Sequence, residues 1–281
     1  MVDIMKYNKL KLNDLSRNII ECNGDYRLFC FDVDDVIFNT APIMQMILES
    51  IDRRATKKYR VEKQSETSQT AKEANKRSYT LLDAILEERT CTIENEKGQN
   101  EHLDFTKPLI DYEELYSDKY LFPLAIEFIK YMIATKGEND FFIFVSHRNP
   151  EREGEVKTRR LYELLPEIDG VITLPFHEKI GADEPTNKGI WVKNILGLDN
   201  LDNAILIDND PTNGKRFRKL NGFDIRYLPE GFKDEHTLYD HMSKLTNLDP
   251  YMINLILTLI RYSRENPEYA EELDKVKIKK L

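Results

Sequence analysis

The sequence predicts an α/β protein: a doubly wound, mostly parallel sheet with a helical segment inserted after the first strand. Three observations predict it. Short continuous apolar runs recur along the chain, at Leu28–Phe31, Phe141–Val145, Val171–Leu174 and Ala204–Ile207. Such runs read as strands buried on both faces. Helical spacing separates them, and strand-helix alternation with short links implies right-handed crossovers and a parallel sheet. The chain also has 281 residues, 41% of them hydrophobic. That is enough for one large domain, or for a domain carrying a smaller inserted one.

Residues 1–25 are polar and mixed and support no assignment. The first strand spans 27–33. A helix starts near Asn39-Thr40 with Pro42 in its first turn, where proline is tolerated, and runs through Ile43, Ile47, Leu48 and Ile51. Residues 52–80 are charged and poor in apolar side chains, which suits an exposed helix or an arm. Leu81, Leu82, Ile85 and Leu86 then have helical spacing, and 94–108 reads as a loop. A helix from Pro123 carries Leu124, Ile126, Phe128, Ile129 and Met132, and Gly137 and Asn139 mark its end. The second strand is 141–145, followed by a helix at 151–165 and a third strand at 171–174. A helix at 187–197 stops at Gly197, the fourth strand follows at 204–207, and 223–228 makes a fifth. Residues 234–281 are helical in character, with Ile253, Ile256, Leu257 and Ile260 as an apolar stripe.

Composition narrows the classes. The formal net charge is -9, which argues against non-specific binding to nucleic acid or anionic membrane. No apolar stretch approaches the roughly 18–20 residues that span a bilayer. The first residues, Met-Val-Asp-Ile-Met-Lys, lead into no apolar signal segment, so a cytoplasmic location is the expectation. Cys22, Cys30 and Cys91 are odd in number and widely spaced, unlike a disulfide framework or a zinc site. Cys30, inside an apolar run, reads as core.

Ligands of such sheets bind outside the carboxyl ends of the strands, so the residues there carry the functional signal. Asp32, Val33, Asp34 and Asp35 follow the first strand, Ser146, His147 and Arg148 the second, and Asp208, Asn209 and Asp210 the fourth. Lys188 opens the helix before that fourth strand. In extended chain, residues two apart face the same side, so Asp32 and Asp34 can reach one site while Asp35 points elsewhere. Clustered carboxylates need a counter-charge. Mg²⁺, which prefers a few carboxylates plus water, is the natural one. A cation held there would draw a phosphate, with Lys188 and Ser146 on the remaining oxygens. Phosphoryl transfer needs mainly positioning and charge neutralisation, and a carboxylate can act as nucleophile through an aspartyl-phosphate.

This arrangement resembles the haloacid dehalogenase (HAD) superfamily of hydrolases over residues 27–228. The matching motifs are Phe31-Asp32-Val33-Asp34, Phe144-Val145-Ser146, Lys188, and Leu206-Ile207-Asp208-Asn209-Asp210. The resemblance implies a HAD-like Rossmannoid core and a phosphatase branch, since the dehalogenase branch lacks an aspartate at position 34. It implies that Asp32 attacks phosphorus and helps bind Mg²⁺. Asp34 protonates the leaving oxygen and then activates water, and Ser146 and Lys188 steady the phosphoryl group. Asp208 completes the metal site, with Asp34 and Asn209 as further ligand candidates. Lys179 and Lys193 are rivals to Lys188, which is favoured because Thr186 or Asn187 can cap its helix. Two features depart from the family pattern: Asp35 stands where glycine is common, and the fourth motif reads Asp-Asn-Asp. His147 and Arg148 are candidate substrate contacts, read equally well as solvated loop residues, and His177 is a weaker candidate.

The interval from Asp32 to Ser146 exceeds what one strand-helix return needs, and the surplus lies in 40–108. The resemblance makes that surplus a substrate-selecting helical cap. The expected organisation is a catalytic core at 1–39 and 109–233, a cap at 40–108 and a C-terminal helical extension at 234–281. The basic run Arg53, Arg54, Lys57, Lys58, Arg60, Lys63 suits either a solvated helix face or a polyanion site, as does Lys215, Arg216, Arg218, Lys219. The Val-Ser-x-Arg second motif is similar to 5′-nucleotidase and polynucleotide 3′-phosphatase branches. The expected substrate is therefore a nucleotide or another small phosphate ester. A nucleic-acid end, or a non-catalytic HAD-like binding protein, is the alternative. Oligomeric state is not readable from the chain.

Overall fold

The computed structural model describes residues 3–53, 69–95, 97–134, 136–148, 150–175 and 187–226. The chain enters on α1 (Ile4–Glu21), where Asp3 accepts a hydrogen bond from the Lys6 N–H at 3.1 Å as N-cap. This helix lies in the stretch for which the sequence supported no assignment. Its Asn8 makes a paired amide contact with the backbone of Val171, 2.7 Å to the carbonyl and 2.9 Å from the N–H. α1 thereby protects a sheet edge that would otherwise expose unpaired peptide groups.

β1 (Arg27–Phe31) leads to α2 (Ala41–Ile51), α3 (Gln69–Leu86) and an antiparallel hairpin of β2 (Thr90–Glu94) and β3 (Asn100–Asp104). The hairpin corrects the expected loop at 94–108. Cys91 and Ile93 are buried while Thr90, Thr92 and Glu94 are exposed, the alternation of a strand with one dry face. Asn95 closes the turn by accepting from the N–H groups of Lys97 at 2.9 Å and Gln99 at 3.0 Å. Gly98 occupies left-handed backbone there, at φ 71°. The described residues of 40–108, the stretch expected to form a cap, thus hold two helices and a hairpin. Arg54, Lys57, Lys58, Arg60 and Lys63 of the basic run lie outside the described residues, as do Lys179, His177 and the 234–281 extension.

The chain continues through α4 (Tyr112–Leu115), a 3-10 turn at Asp118–Tyr120, α5 (Pro123–Ala134), β4 (Asp140–Arg148), α6 (Glu151–Leu164) and β5 (Gly170–Pro175). It then forms α7 (Lys188–Leu196), β6 (Ala204–Asp208), α8 (Pro211–Arg218) and β7 (Phe223–Arg226). Five strands make one parallel sheet in the order β5-β4-β1-β6-β7. β1 therefore runs centrally, with β4 and β6 as neighbours, and the order reverses around it as in other doubly wound sheets.

Each strand alternates between two cores. Leu28 and Cys30 of β1, Ile143 and Val145 of β4 and Leu206 of β6 pack with Leu15 and Ile19 of α1 and Val192 and Leu196 of α7. Phe29, Phe31, Phe142, Phe144, Ile205 and Ile207 face the other way, toward Ile126 and Ile129 of α5 and Leu161 of α6. Met44, Leu48, Leu81, Ile85, Cys91 and Ile93 of the insert join this second cluster. Phe29 and Phe142 stack at 4.8 Å, nearly parallel. A one-residue slip would drive the phenylalanines of β1 and β4 into the face now filled by Leu28, Cys30, Ile143 and Val145, so the carboxyl ends of β1, β4 and β6 are held in fixed relation. Among the described residues no helix is long and apolar enough to cross a membrane.

Candidate active site

Asp32 is the first residue past β1, and its N–H still donates to the Ile207 carbonyl at 2.9 Å, which extends the sheet ladder by one step. Its side chain is 8% exposed. Oδ1 accepts the N–H of Val33 at 2.8 Å and lies 2.6 Å from Nζ of Lys188. Asp208 ends the adjacent strand β6, where Phe31 and Ile207 are register partners. Its Oδ2 lies 2.7 Å from the same Nζ and accepts from Asn213 Nδ2 at 3.1 Å. Its Oδ1 accepts the Asp210 N–H at 2.7 Å. One buried ammonium thus bridges two carboxylates from neighbouring strand ends.

Local sequence explains the placement. Lys188 is the first residue of α7, and Asn187 caps that helix by accepting from the Gly189 N–H at 2.9 Å. A Cβ at Gly189 would stand 2.8 Å from Leu220 Cδ1 and 3.1 Å from Phe217 Cδ2, so a larger residue in this first turn would push those side chains aside. Asp210 caps α8 through Thr212 N–H at 2.7 Å, with Pro211 beginning the helix. Lys193, a rival for the phosphate-binding role, lies in the last turn of α7.

Asp34 belongs to a second cluster. Oδ1 accepts from the Tyr116 hydroxyl at 2.9 Å; Oδ2 accepts from Lys157 Nζ at 2.7 Å and from Ser146 Oγ at 3.1 Å. Lys157 also donates to the His147 carbonyl at 2.6 Å and pairs with Glu153 Oε1 at 2.9 Å. Ser146 is completely buried and lies within β4, not after it, paired in register with Thr173. His147 and Arg148, both half-buried, also lie within β4: β5 continues past the end of β1, so β4 keeps a partner through Arg148. This corrects the reading of both as loop residues. Asn209 is half-buried beside Asp208. Arg148 runs over Gly154, where a Cβ would come within 2.5 Å of its Cδ. Asp35 turns away from both clusters, in left-handed backbone at φ 56°, and accepts from the Ala41 N–H at 2.8 Å. The left-handed turn is the reason glycine suits this position, and aspartate is among the few other residues that tolerate it.

Tyr116, Glu153, Lys157 and Asn213 were not read from the sequence. The signal for one pair was present: Glu153 and Lys157 stand four apart, one helical turn. Nothing local distinguishes Tyr116 from the chain's other tyrosines.

The two clusters shift their aspartates in opposite directions. Burial, then the charge of Asp208, raises the pKa of Asp32 against the opposing pull of Lys188. Burial also works against the Asp34 carboxylate, but Lys157, Tyr116 and Ser146 together outweigh it and lower its pKa. Burial disfavours the Lys188 ammonium, yet Asp208 and Asp32 prevail and raise its pKa. Among the described residues no group of three or more His, Cys, Asp or Glu side chains forms a metal cluster. The paired carboxylates of Asp32 and Asp208 are nevertheless a fit for Mg²⁺, which takes one or two carboxylates and fills its remaining positions with water and phosphate oxygens.

No protein-family model and no curated protein matches the chain. Among solved structures it is similar to a HAD-superfamily hydrolase from Ehrlichia chaffeensis, at 14% identity and a TM-score of 0.39, covering 78% of this chain and 97% of that one. It is similar to a protein assigned as a β-phosphoglucomutase from Bacteroides vulgatus, at 15% identity and a TM-score of 0.40, covering 92% and 100%. A predicted HAD-like family hydrolase from Porphyromonas gingivalis gives 13% identity and a TM-score of 0.37, covering 80% and 99%.

Proposed function

We propose that the chain is a magnesium-dependent phosphomonoester hydrolase that works through an aspartyl-phosphate on Asp32. The observation that carries this reading is the sharing of Lys188 by Asp32 and Asp208, at 2.6 and 2.7 Å, across adjacent strand ends. A second aspartate, Asp34, stands two residues on in its own hydrogen-bonded seat.

Asp32 and Asp208 would hold the metal, with Asn209 beside them. When bound, Mg²⁺ supplies positive charge against the attacking carboxylate and the phosphoryl oxygens. Lys188 gives two of its three N–H bonds to the aspartates and keeps a third to orient a phosphoryl oxygen. A carboxylate oxygen of Asp32 forms a bond to phosphorus as the bond from phosphorus to the leaving oxygen breaks. Asp34, whose lowered pKa favours the carboxylate in the free protein, takes up a proton as the ester binds and passes it to that oxygen, so the product leaves as an alcohol. Asp34, now a carboxylate, takes a proton from water. The water oxygen bonds to phosphorus, the Asp32 oxygen departs from phosphorus, and inorganic phosphate forms with both aspartates restored. The substrate class that suits this site is a nucleotide or another small phosphate ester.

The direct test is hydrolysis of p-nitrophenyl phosphate with and without Mg²⁺, in wild type, Asp32→Asn and Asp34→Asn. Magnesium-dependent turnover, abolished in Asp32→Asn, is expected; activity surviving in that variant refutes the nucleophile assignment. Mononucleotides compared with 3′-phosphorylated oligonucleotides separate a small-ester phosphatase from a nucleic-acid end phosphatase. Absence of turnover on every ester would instead favour a binding role.

A further inference from the structure

Glu153 lies behind the contacts that hold Asp34. Its Oε1 is 2.8 Å from the Tyr116 hydroxyl and 2.9 Å from Lys157 Nζ, the same two groups that hold the two oxygens of Asp34. Lys157, Tyr116 and Glu153 are 0%, 1% and 4% exposed, so in this arrangement they meet Asp34 and not a substrate. Lys157 also lies over the Tyr116 ring at 5.2 Å, and that ring packs edge-on against Phe38 at 5.4 Å. The three residues come from separate places, the end of α4 and two positions of α6.

Stability does not call for such a group. Removing charges from water offsets most of the attraction in a buried ion pair, and apolar side chains of similar volume usually do as well. What the arrangement does provide is a fixed direction for one carboxyl group. Asp34 stands just past a strand end, with its side chain 33% exposed, and such a side chain is free to rotate unless both its oxygens are held.

Resting on the phosphatase reading above, we propose that Lys157 and Tyr116, backed by Glu153, are positioning residues that hold the Asp34 carboxylate where the proton it takes up with the ester passes to the leaving oxygen. Tyr116 fixes one oxygen and Lys157 the other. Glu153 keeps the ammonium seated, one helical turn from Lys157 on α6, and stands 2.8 Å from the Tyr116 oxygen, whose single O–H is given to Asp34 or to Glu153 at a time. A proton donor aligned in advance spares the reaction the entropy of finding that geometry. None of the three touches the reacting atoms; each acts through Asp34.

Esters with graded leaving groups test this. An alkyl phosphate such as ethyl phosphate needs its leaving oxygen protonated, whereas the nitrophenolate of p-nitrophenyl phosphate leaves without help. In Tyr116→Phe and Lys157→Met, kcat/KM for ethyl phosphate is expected to fall by about 10²-fold or more, and that for p-nitrophenyl phosphate far less. kcat/KM reports the steps up to phosphoenzyme formation, so it excludes the later role of Asp34 with water. Equal losses across the esters, or none, overturn the proposal. Tyr116→Phe keeps the ring and removes only the hydroxyl, so it remains informative if Lys157→Met fails to fold. Crystal structures of both variants read the seat without turnover: the Asp34 carboxyl is expected to move or lose definition, and an unmoved Asp34 in either overturns the proposal. If the wild type hydrolyses no ester, the phosphatase reading fails and the crystal structures alone decide whether these residues hold Asp34.

Discussion

The two aspartates of the Asp-Val-Asp motif sit two residues apart and meet the same kind of partner, yet they end in opposite states. Each faces a buried lysine that is shared with a second carboxylate: Lys188 with Asp208, Lys157 with Glu153. Each set of three carries a net charge of minus one when fully ionised. The difference lies first in burial, with the Asp32 side chain 8% and the Asp34 side chain 33% exposed, and then in the remaining donors. Asp34 receives Tyr116 and Ser146 as well as its lysine, and its pKa is lowered. Among the described residues Asp32 receives the neighbouring Val33 N–H besides its lysine, and burial, then the charge of Asp208, raises its pKa. The lesson is that a lysine beside a carboxylate does not by itself set the direction of its pKa shift. Burial, the nearness of a competing carboxylate and the number of neutral donors decide it together.

The largest effect that could break this comparison is on turnover. Asp32→Asn or Asp208→Asn should lower phosphatase turnover by on the order of 10³-fold or more, since each removes part of a single acting unit. Steady-state assays in saturating Mg²⁺ measure it. Comparable activity in either variant would show that the Lys188 cluster is not the reacting one.

Stability gives the next effect. Lys188→Met leaves Asp32 and Asp208 buried without their shared cation, and should cost about 3–5 kcal/mol in metal-free buffer. Lys157→Met should cost less, because Asp34 is partly exposed and keeps two neutral donors. Urea unfolding of the two variants in EDTA measures the difference, and equal costs would remove the distinction between the clusters.

The pH dependence of folding separates them by sign. A carboxyl group whose pKa is raised in the folded state stabilises below its unfolded pKa, and that contribution is lost as pH rises through the folded value. Asp32 therefore makes the metal-free protein less stable toward alkaline pH, and Asp208→Asn should flatten that slope. Asp34 does the reverse: its lowered pKa contributes stability above the unfolded value that is lost as pH falls through the folded one. Asp34→Asn should remove that part of the acid sensitivity. Melting temperatures across pH, with EDTA present, test both slopes.

The smallest effect concerns Asp35, which belongs to neither cluster. Burial pushes its pKa up to about 6, against the opposing hydrogen bond from Ala41. Asp35→Asn keeps an acceptor for that N–H and suits left-handed backbone, but removes the charge. The variant should melt a few degrees higher than wild type at pH 7.5, and the gain should vanish near pH 4, where the native carboxyl is itself protonated. A loss at pH 7.5 would place Asp35 with the charge clusters after all.

The parallel core was legible because its strands are dry on both faces, and continuous apolar runs such as Phe141–Val145 declare this without any partner. The hairpin was not, because β2 alternates buried and exposed residues over only five positions, a pattern that short polar stretches also show. α1 was hidden for a related reason: few of its residues are buried, and its role at the β5 edge rests on one asparagine reaching Val171.

What the sequence determined by itself is the order of the strands' polar ends: Asp32, Asp34, Ser146, Lys188 and Asp208 each stand at or beside a strand or helix terminus that local patterning marks. What only the tertiary structure decided is which of them share a proton donor. The partition of Asp32 to Lys188 and Asp34 to Lys157 depends on helices α6 and α7 packing on opposite faces of the sheet, and on a tyrosine 82 positions away from Asp34. Electrostatic interaction falls with distance in space and is indifferent to separation along the chain, so no local pattern carries that information.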